Sequence, residues 1–234
     1  MVYSYLANFQ SKMRKTALLT TWILTAFCSQ ANAEEARTGF YVPLSFGFHQ
    51  IQQLHADTGS GSIGGAGYKV RDDFDLGTNF QTGLGYDFGD IRVELVYQLF
   101  DADLNKAYNS NPSYLFTDSA HADVTYHGAG LGAYYDFQTS SKFTPYLGGG
   151  LGLGKIAINN LKEVRTAGTV ENPDTSINGI FSWHAKAGVS YAAFENIDIY
   201  GEFSYLGTDG FTYETNKYDG LNTFAVNLGA RYLF

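Results

Sequence analysis

The sequence predicts an all-β fold, an eight-stranded antiparallel up-and-down transmembrane β-barrel, and three observations predict it. Apolar and polar residues alternate with a period of two in eight separate segments, as in extended strands whose side chains point alternately to two faces. Tyr and Phe number 18 each and aromatic residues make up 16% of the chain; in a barrel hydropathy averages out while aromatic content climbs. Mean hydropathy is -0.17, and no apolar run approaches the ~20 residues that a membrane-spanning helix needs.

The first strand starts near residue 39, with Phe40, Val42, Leu44, Phe46 and Phe48 on one face and Tyr41, Ser45, Gly47 and His49 on the other. The second sets Phe74, Leu76, Phe80, Leu84, Tyr86 and Phe88 against Asp75, Asn79, Gln81, Gly83, Gly85 and Asp87. Gly89-Asp90 then turns the chain, glycine suiting the first central position of a type II′ hairpin. In the third, Ile91, Val93, Leu95, Tyr97 and Leu99 oppose Arg92, Glu94 and Gln98. The fourth ends with Ala129, Leu131, Ala133, Tyr135 and Phe137. Val124 and Tyr126 are out of phase with that face, which predicts a bulge near His127 or Gly128. The fifth presents Phe143, Leu147, Leu151 and Leu153, and the sixth Phe181, Trp183, Ala185, Ala187, Val189 and Tyr191. The seventh sets Ile197, Ile199, Phe203 and Tyr205 against Asp198, Tyr200, Glu202 and Ser204. The eighth aligns Phe224, Val226, Leu228, Ala230, Tyr232 and Phe234. An even count is what bacterial barrels require.

Connections alternate between short turns, at Gly89, Gln138 and Ala192, and long segments at 51–73, 100–122, 159–179 and 207–220. Short turns and both termini therefore belong to the periplasm, and four long polar loops to the cell exterior. Phe40, Tyr86, Phe88, Tyr135, Phe137, Phe143, Tyr191, Tyr232 and Phe234 fall at the periplasmic strand ends as one aromatic girdle. Phe48, Phe74, Tyr97, Phe181, Trp183 and Tyr205 form the opposite one. A soluble eight-stranded calyx is the competing architecture, but it has no use for bulky aromatics at strand ends and calls for more surface Lys and Glu.

Lys12, Arg14 and Lys15 precede an apolar run from Ala17 to Cys28 and then Ala31-Asn32-Ala33, the plan of a secretory signal peptide spanning 1–33, with the barrel domain at 34–234. Met13 offers an alternative start. Cys28 is the single cysteine and leaves with the signal; Phe27 before it disfavours a lipidation signal. The mature barrel then has no thiol or disulfide chemistry. Removing three of 15 basic residues and none of 23 acidic ones gives a mature formal charge of 12 − 23 = −11. Such an acidic chain has no nucleic-acid partner.

Residues alternating with the lipid face fill the lumen. Pairing Phe88 with Ile91 places Asp87 opposite Arg92 and Gln81 opposite Gln98. Centring the 192–196 turn on Phe194 places Lys186 opposite Glu202 and His184 opposite Ser204. An eight-stranded barrel is just wide enough for side chains to fill, so Asp87, Arg92, Glu94, Lys186, Glu202 and Arg231 are expected as a lumen charge cluster that plugs the barrel, with a gated narrow ion path as the alternative. Gly128, Gly130 and Gly132 are expected to face Gly152, Gly150 and Gly148, leaving room for Arg92 and Arg231 or letting the sheet bend. The run from Gly148 to Gly154 lacks the helix and the Gly-Lys-Ser/Thr of a phosphate loop.

Outer-membrane barrels include lipid-modifying enzymes, but His49, His55, His121, His127 and His184 are scattered, and the nearest Ser-His-acid set, Ser119, His121 and Asp123, falls in or beside an irregular loop. Asp72, Asp73, Asp101 and Asp103 match no dedicated calcium loop and read as a solvated face. No catalytic residue, metal ligand or cofactor is assigned, and the protein is read as not an enzyme.

Gly85-Tyr86-Asp87-Phe88-Gly89-Asp90-Ile91-Arg92-Val93-Glu94, Tyr134-Tyr135-Asp136-Phe137, Phe143-Thr144-Pro145-Tyr146-Leu147-Gly148-Gly149-Gly150 and the ending Arg231-Tyr232-Leu233-Phe234 resemble the small outer-membrane barrels: the OmpA transmembrane domain and the opacity-type and rickettsial-type surface antigens. The resemblance spans the mature chain. It implies an integral outer-membrane surface antigen or adhesin-like protein among outer-membrane lipids and lipopolysaccharide, with a host or surface ligand on its loops. It also implies assembly by periplasmic chaperones and the barrel-assembly machinery, with Phe234 as the insertion signal. Since the chain stops at the barrel, no peptidoglycan-binding domain is expected.

Overall fold

Period-two segments cannot leave their backbone N–H and C=O groups unpaired in lipid, so they must close into a ring. In the computed structural model, which describes residues 37–58, 69–110, 120–213 and 216–234, they do. The strands are β1 (Gly39–Ile51), β2 (Leu54–Thr58), β3 (Lys69–Phe74), β4 (Gly77–Asp87), β5 (Ile91–Asn109), β6 (Ala120–Asp136), β7 (Phe143–Arg165), β8 (Gly168–Glu171), β9 (Thr175–Phe194), β10 (Ile197–Thr208), β11 (Phe211–Tyr213), β12 (Asn216–Tyr218) and β13 (Asn222–Leu233). Eight of them form the antiparallel ring β1-β4-β5-β6-β7-β9-β10-β13, closed by β13 against β1 from Tyr41 opposite Leu233 to Ile51 opposite Thr223. Residues 1–33, expected as a signal peptide, and Ser119 lie outside the described residues.

At the turn end, Phe88 N–H donates to Ile91 C=O at 2.9 Å, and Gly89 takes φ 103°, as the expected tight hairpin needs. The aromatic girdle is assembled there from neighbouring rings: Phe40 on Tyr86 (4.9 Å between centroids), Tyr135 on Phe137 (5.0 Å), Phe143 on Tyr191 (4.9 Å) and Tyr232 on Phe234 (5.1 Å).

The long segments are not loops throughout. β5 has 19 residues and β7 has 23, so at about 3.3 Å per residue β5 alone spans roughly 60 Å, about twice the hydrocarbon thickness of a bilayer. Along β5 the alternation never breaks between Ile91 and Leu104, but polarity exchanges faces near residue 100. Below it Ile91, Val93, Leu95 and Tyr97 are exposed while Arg92, Glu94 and Gln98 are buried. Above it Asp101 and Asp103 point outward and Phe100, Ala102 and Leu104 inward. β6 repeats this, with Asp123 and His127 outside and Ala122, Val124 and Tyr126 inside. Outside, lipid gives way to water, so the sheet turns its apolar residues inward and builds an ordinary hydrophobic core. Ile51, Leu54, Phe74, Ile156, Ile180, Leu206, Phe211 and Leu221 complete it.

This inversion corrects several expectations. Val124 and Tyr126 need no bulge at His127 or Gly128, because they share the inward phase of Tyr134; the β6 irregularity lies between His121 and Asp123. Phe74 joins the inner core instead of the outer girdle, after a register shift between Asp73 and Phe74. The segments 51–73 and 207–220 carry β2, β3, β11 and β12, which add sheet beyond the ring. Leu95→Lys should destabilise the barrel by about 2–4 kcal/mol because it faces lipid. Asp103→Lys, outside the lipid band and opposite Asp123, should change stability by under about 0.5 kcal/mol. Urea titration of folding into lipid vesicles reads both.

Candidate functional site in the barrel interior

Inward alternation brings the lumen charges together, with partners that differ in part from those expected. Asp87 does lie opposite Arg92 and Gln81 opposite Gln98. Yet Arg92 forms a two-pronged ion pair with Asp136 on β6, Nε to Oδ2 at 2.6 Å and Nη2 to Oδ1 at 2.9 Å. Asp87 accepts the Gly89 N–H at 2.8 Å and holds the turn. Glu94 accepts from Tyr41 Oη at 3.0 Å. Glu202 accepts from Tyr146 Oη at 2.9 Å and Asn227 Nδ2 at 3.2 Å. Lys186 Nζ donates to Gln81 Oε1 at 2.6 Å and lies 3.6 Å from Glu202. Arg231 pairs with Asp198 at 3.2 Å, and Arg37 reaches the same carboxylate from the chain entry. Phe234 is exposed at the turn end, its N–H donating to Phe40 C=O at 2.9 Å.

Two pairings are corrected. Lys186 stands opposite Ser204 and His184 opposite Leu206, because the hairpin turns at Glu195-Asn196 and a register shift follows between Ile197 and Asp198. Gly128, Gly130 and Gly132 face Gly154, Gly152 and Gly150. Tyrosines, in place of Arg92 and Arg231 as one of the two expectations has it, lie beside several of these glycines: a Cβ on Gly128 or Gly154 would overlap the Tyr126 ring and one on Gly132 or Gly148 the Tyr134 ring, whereas one on Gly130 or Gly152 would meet the facing backbone. Gly85, Gly188 and Gly229 make the same room for Tyr41, Tyr146 and Tyr200. Arg92 then lies 4.8 Å from the Tyr146 ring centre and 5.3 Å from that of Tyr134, within the range of cation–π attraction. The gap among Arg92, Glu94, Tyr134, Lys186 and Glu202 is about 20 Å³, room for roughly one water molecule. Tyr41, Asp198 and Tyr200 fall on the expected inner face but outside the expected charge cluster, and Tyr134, Asp136 and Tyr146 are site residues that the sequence reading leaves out, although the parity set by Leu131 and Ala133 places Tyr134 and Asp136 inward.

Above the charges lies the apolar interior, stacked from Phe100 on Tyr126 at 4.7 Å and His49 against Phe100 at 4.7 Å. Asp72, expected on a solvated face, is buried there at 7% exposure, between the inward residues Val70 and Phe74. Desolvation, reinforced by the neighbouring Asp73 carboxylate, pushes its carboxyl from 3.8 up to about 7. Of the Ser119, His121 and Asp123 set, Asp123 points outward on β6 and accepts from Asn160 Nδ2 at 2.6 Å.

Arg92→Ala strands Asp136 and should cost about 3–5 kcal/mol, while replacing both partners by apolar residues of similar volume should cost less; a double-mutant cycle in urea measures the coupling. Asp72 binds its proton more tightly folded than unfolded, so its burial costs nothing below about pH 4, and the cost grows as pH rises and is complete above about pH 7. Wild-type stability should therefore fall across that window relative to Asp72→Asn.

The family described as outer membrane protein beta-barrel domain matches residues 19–234. Outer membrane protein PagN of Salmonella typhimurium is 32% identical over 149 residues, 58% of this chain and 60% of that protein. Opacity protein opA58 of Neisseria gonorrhoeae is 25% identical over 182 residues, covering 67% of this chain and 68% of that one. The chain spans about three fifths of the length of PagN and of the Brucella relatives it matches. Among solved structures, Neisserial surface protein A aligns with TM-score 0.52 and 21% identity over 84% of this chain and 97% of that one. OprG of Pseudomonas aeruginosa aligns at 0.56 and 16%, over 87% and 100%. The outer membrane protease OmpT of Escherichia coli aligns at 0.54 and 9%, over 88% and 99%; at these identities the likeness is one of fold. The chain belongs to the outer-membrane β-barrel family and is an integral protein of the Gram-negative outer membrane.

Proposed function

We propose that this protein is a surface-displayed barrel in which the lumen charge cluster is a plug and the work is done by the sheet that rises beyond the lipid band, in an adhesive, structural or antigen-like role. The reading is supported most by the narrow gap of about 20 Å³ left among the paired lumen charges, together with strands that continue beyond the lipid-facing band. Strands of 19 and 23 residues suit a platform that holds loops away from the lipid surface. PagN, a relative named as an outer membrane protein, is in keeping with a barrel displayed in that membrane.

In this reading residues 1–33 are the cleaved signal, the short turns and both ends of the barrel domain 34–234 face the periplasm, and β2, β3, β8, β11 and β12 stand outside. The partners are outer-membrane lipids and lipopolysaccharide, periplasmic chaperones and the barrel-assembly machinery reading Phe234, and a host or surface ligand on the loops. Catalysis is not part of the reading, and the likeness to OmpT carries only the fold.

Two measurements on the mature chain test it. In planar bilayers, barrel verified as folded by its anomalous migration when unboiled should give no steady conductance steps; discrete steps altered by Lys186→Ala would establish the narrow channel instead. Trimming β5 and β6 back to the pair Asp101 and Thr125, joined by a short turn, should leave a folded barrel but abolish adhesion of cells that display it. Unchanged adhesion would contradict the proposal.

A further inference from the structure

The apolar interior beyond the lipid band is not completely filled. Leu54, Val70, Leu104, Val124, Ile156 and Leu221 surround a cavity of about 110 Å³, approaching the ~150 Å³ of an engineered apolar cavity that stays dry and binds benzene. The cavity belongs to β2, β3, β5, β6 and β7 together with the 211–221 stretch, so it exists only because the strands continue past the membrane.

Its polar lining is one-sided. Asp72, Asn109, Glu163 and Tyr218 contribute the polar groups, and among the described residues no lysine or arginine lines it. Neighbouring cations are directed elsewhere. Arg71, on the outward face of the same strand, lies 3.9 Å from Asp73 and 4.1 Å from the Tyr108 ring centre. Lys106 of β5 is exposed and opposite Asp73, and His55 of β2 is opposite Arg71. Across the cavity, Arg165 donates to Glu163 at 3.0 Å. Asp72 itself is nine-tenths buried, and among the described residues no hydrogen bond or ion pair reaches its carboxyl. Among the described residues, then, an acid set into the inward series Val70, Asp72, Phe74 breaks the local apolar pattern with no compensating partner, which suits a residue that receives a ligand.

We propose that this cavity is a binding site for a small hydrophobic amine, an alkyl chain or single ring seated against Leu54, Leu104, Val124 and Ile156 with its ammonium on the Asp72 carboxylate. The apolar walls supply affinity for the body, and the buried acid discriminates in favour of the cation over neutral or anionic molecules of the same shape. The site does not depend on whether the lumen conducts or the loops adhere.

The test uses the mature barrel, methyl-labelled in lipid nanodiscs and titrated with hexan-1-amine, hexan-1-ol and hexanoate while methyl resonances are followed. Leu104, Val124 and Ile156 report the cavity; Leu95 and Leu131 report the lipid face. Hexan-1-amine should give saturable shifts at the first three, with affinity roughly tenfold above that of hexan-1-ol at about pH 8. That advantage should shrink at about pH 5.5, where the Asp72 carboxyl holds its proton, and vanish in Asp72→Asn. Ala122→Phe, which adds a ring to the cavity wall, should abolish the saturable shifts. Shifts confined to Leu95 and Leu131 would mean partition into lipid and overturn the proposal. So would equal affinities for amine and alcohol at the higher pH, or tighter binding of hexanoate. Should Asp72→Asn misfold, the amine-to-alcohol affinity ratio on the unsubstituted protein at the higher pH, with Ala122→Phe as the control, decides.

Discussion

Closure of β13 onto β1 is the constraint from which the rest follows. Eleven register positions, Tyr41 with Leu233 through Ile51 with Thr223, join the ends of the sheet, so no edge strand of the ring faces lipid with unpaired backbone groups. Once the ring is closed, every side chain has only two directions, and the number of strands fixes how much fits inside. Eight strands leave room for side chains and little else. The lumen therefore has to be solved as a packing problem, and the chain solves it with glycines that make room for tyrosine rings of their own or the neighbouring strand, as Gly128 on β6 and Gly154 on β7 do around Tyr126 of β6. Those tyrosines in turn hold the charges: Tyr41 on Glu94, Tyr146 on Glu202.

The second consequence is that one strand serves two solvents. β5 keeps a single alternation while its surroundings change from lipid to water, so Leu95 and Asp103 occupy equivalent outward positions with opposite polarity. Inside, Arg92 and Glu94 give way to Phe100, Ala102 and Leu104. Buried ion pairs contribute little net stability against apolar alternatives, whereas losing one partner is costly. The charges below the crossover thus fix which residues meet; the hydrophobic core above it provides ordinary burial energy outside the membrane. Asp72 stands out against that core as an acid among aliphatic side chains.

Much of this is legible in the sequence. Strand number, faces, the Gly89 hairpin and the turn-end aromatic girdle follow from parity and turn chemistry alone. Register is less legible: the two corrected hairpins each differ from expectation by two positions, because their turns centre one residue later and the shift between Ile197 and Asp198 leaves no mark in the alternation. A slip of two preserves the face of every residue, which is why Lys186 and Glu202 still meet. The partners Asp136 and Asp198 stay hidden because parity gives a face, not a neighbour. The extended strands are illegible for a different reason. Asp101, Asp103 and Asp123 look like loop residues when polarity outside is read as the end of a strand, and Val124 and Tyr126 look out of phase when the lipid-facing side is assumed to stay apolar. Only the three-dimensional boundary between lipid and water explains both.

That exchange of polarity within an unbroken strand is the central claim, and a spin-label accessibility scan along β5 from Ile91 to Asn105 in bilayers tests it directly. Labels at 91, 93, 95, 97 and 99 should be accessible to oxygen, those at 101, 103 and 105 to a water-soluble nickel reagent, and those at 92, 94, 96, 98, 100, 102 and 104 to neither. Nickel accessibility at 100, 102 and 104, or loss of the two-residue period beyond 99, would contradict it.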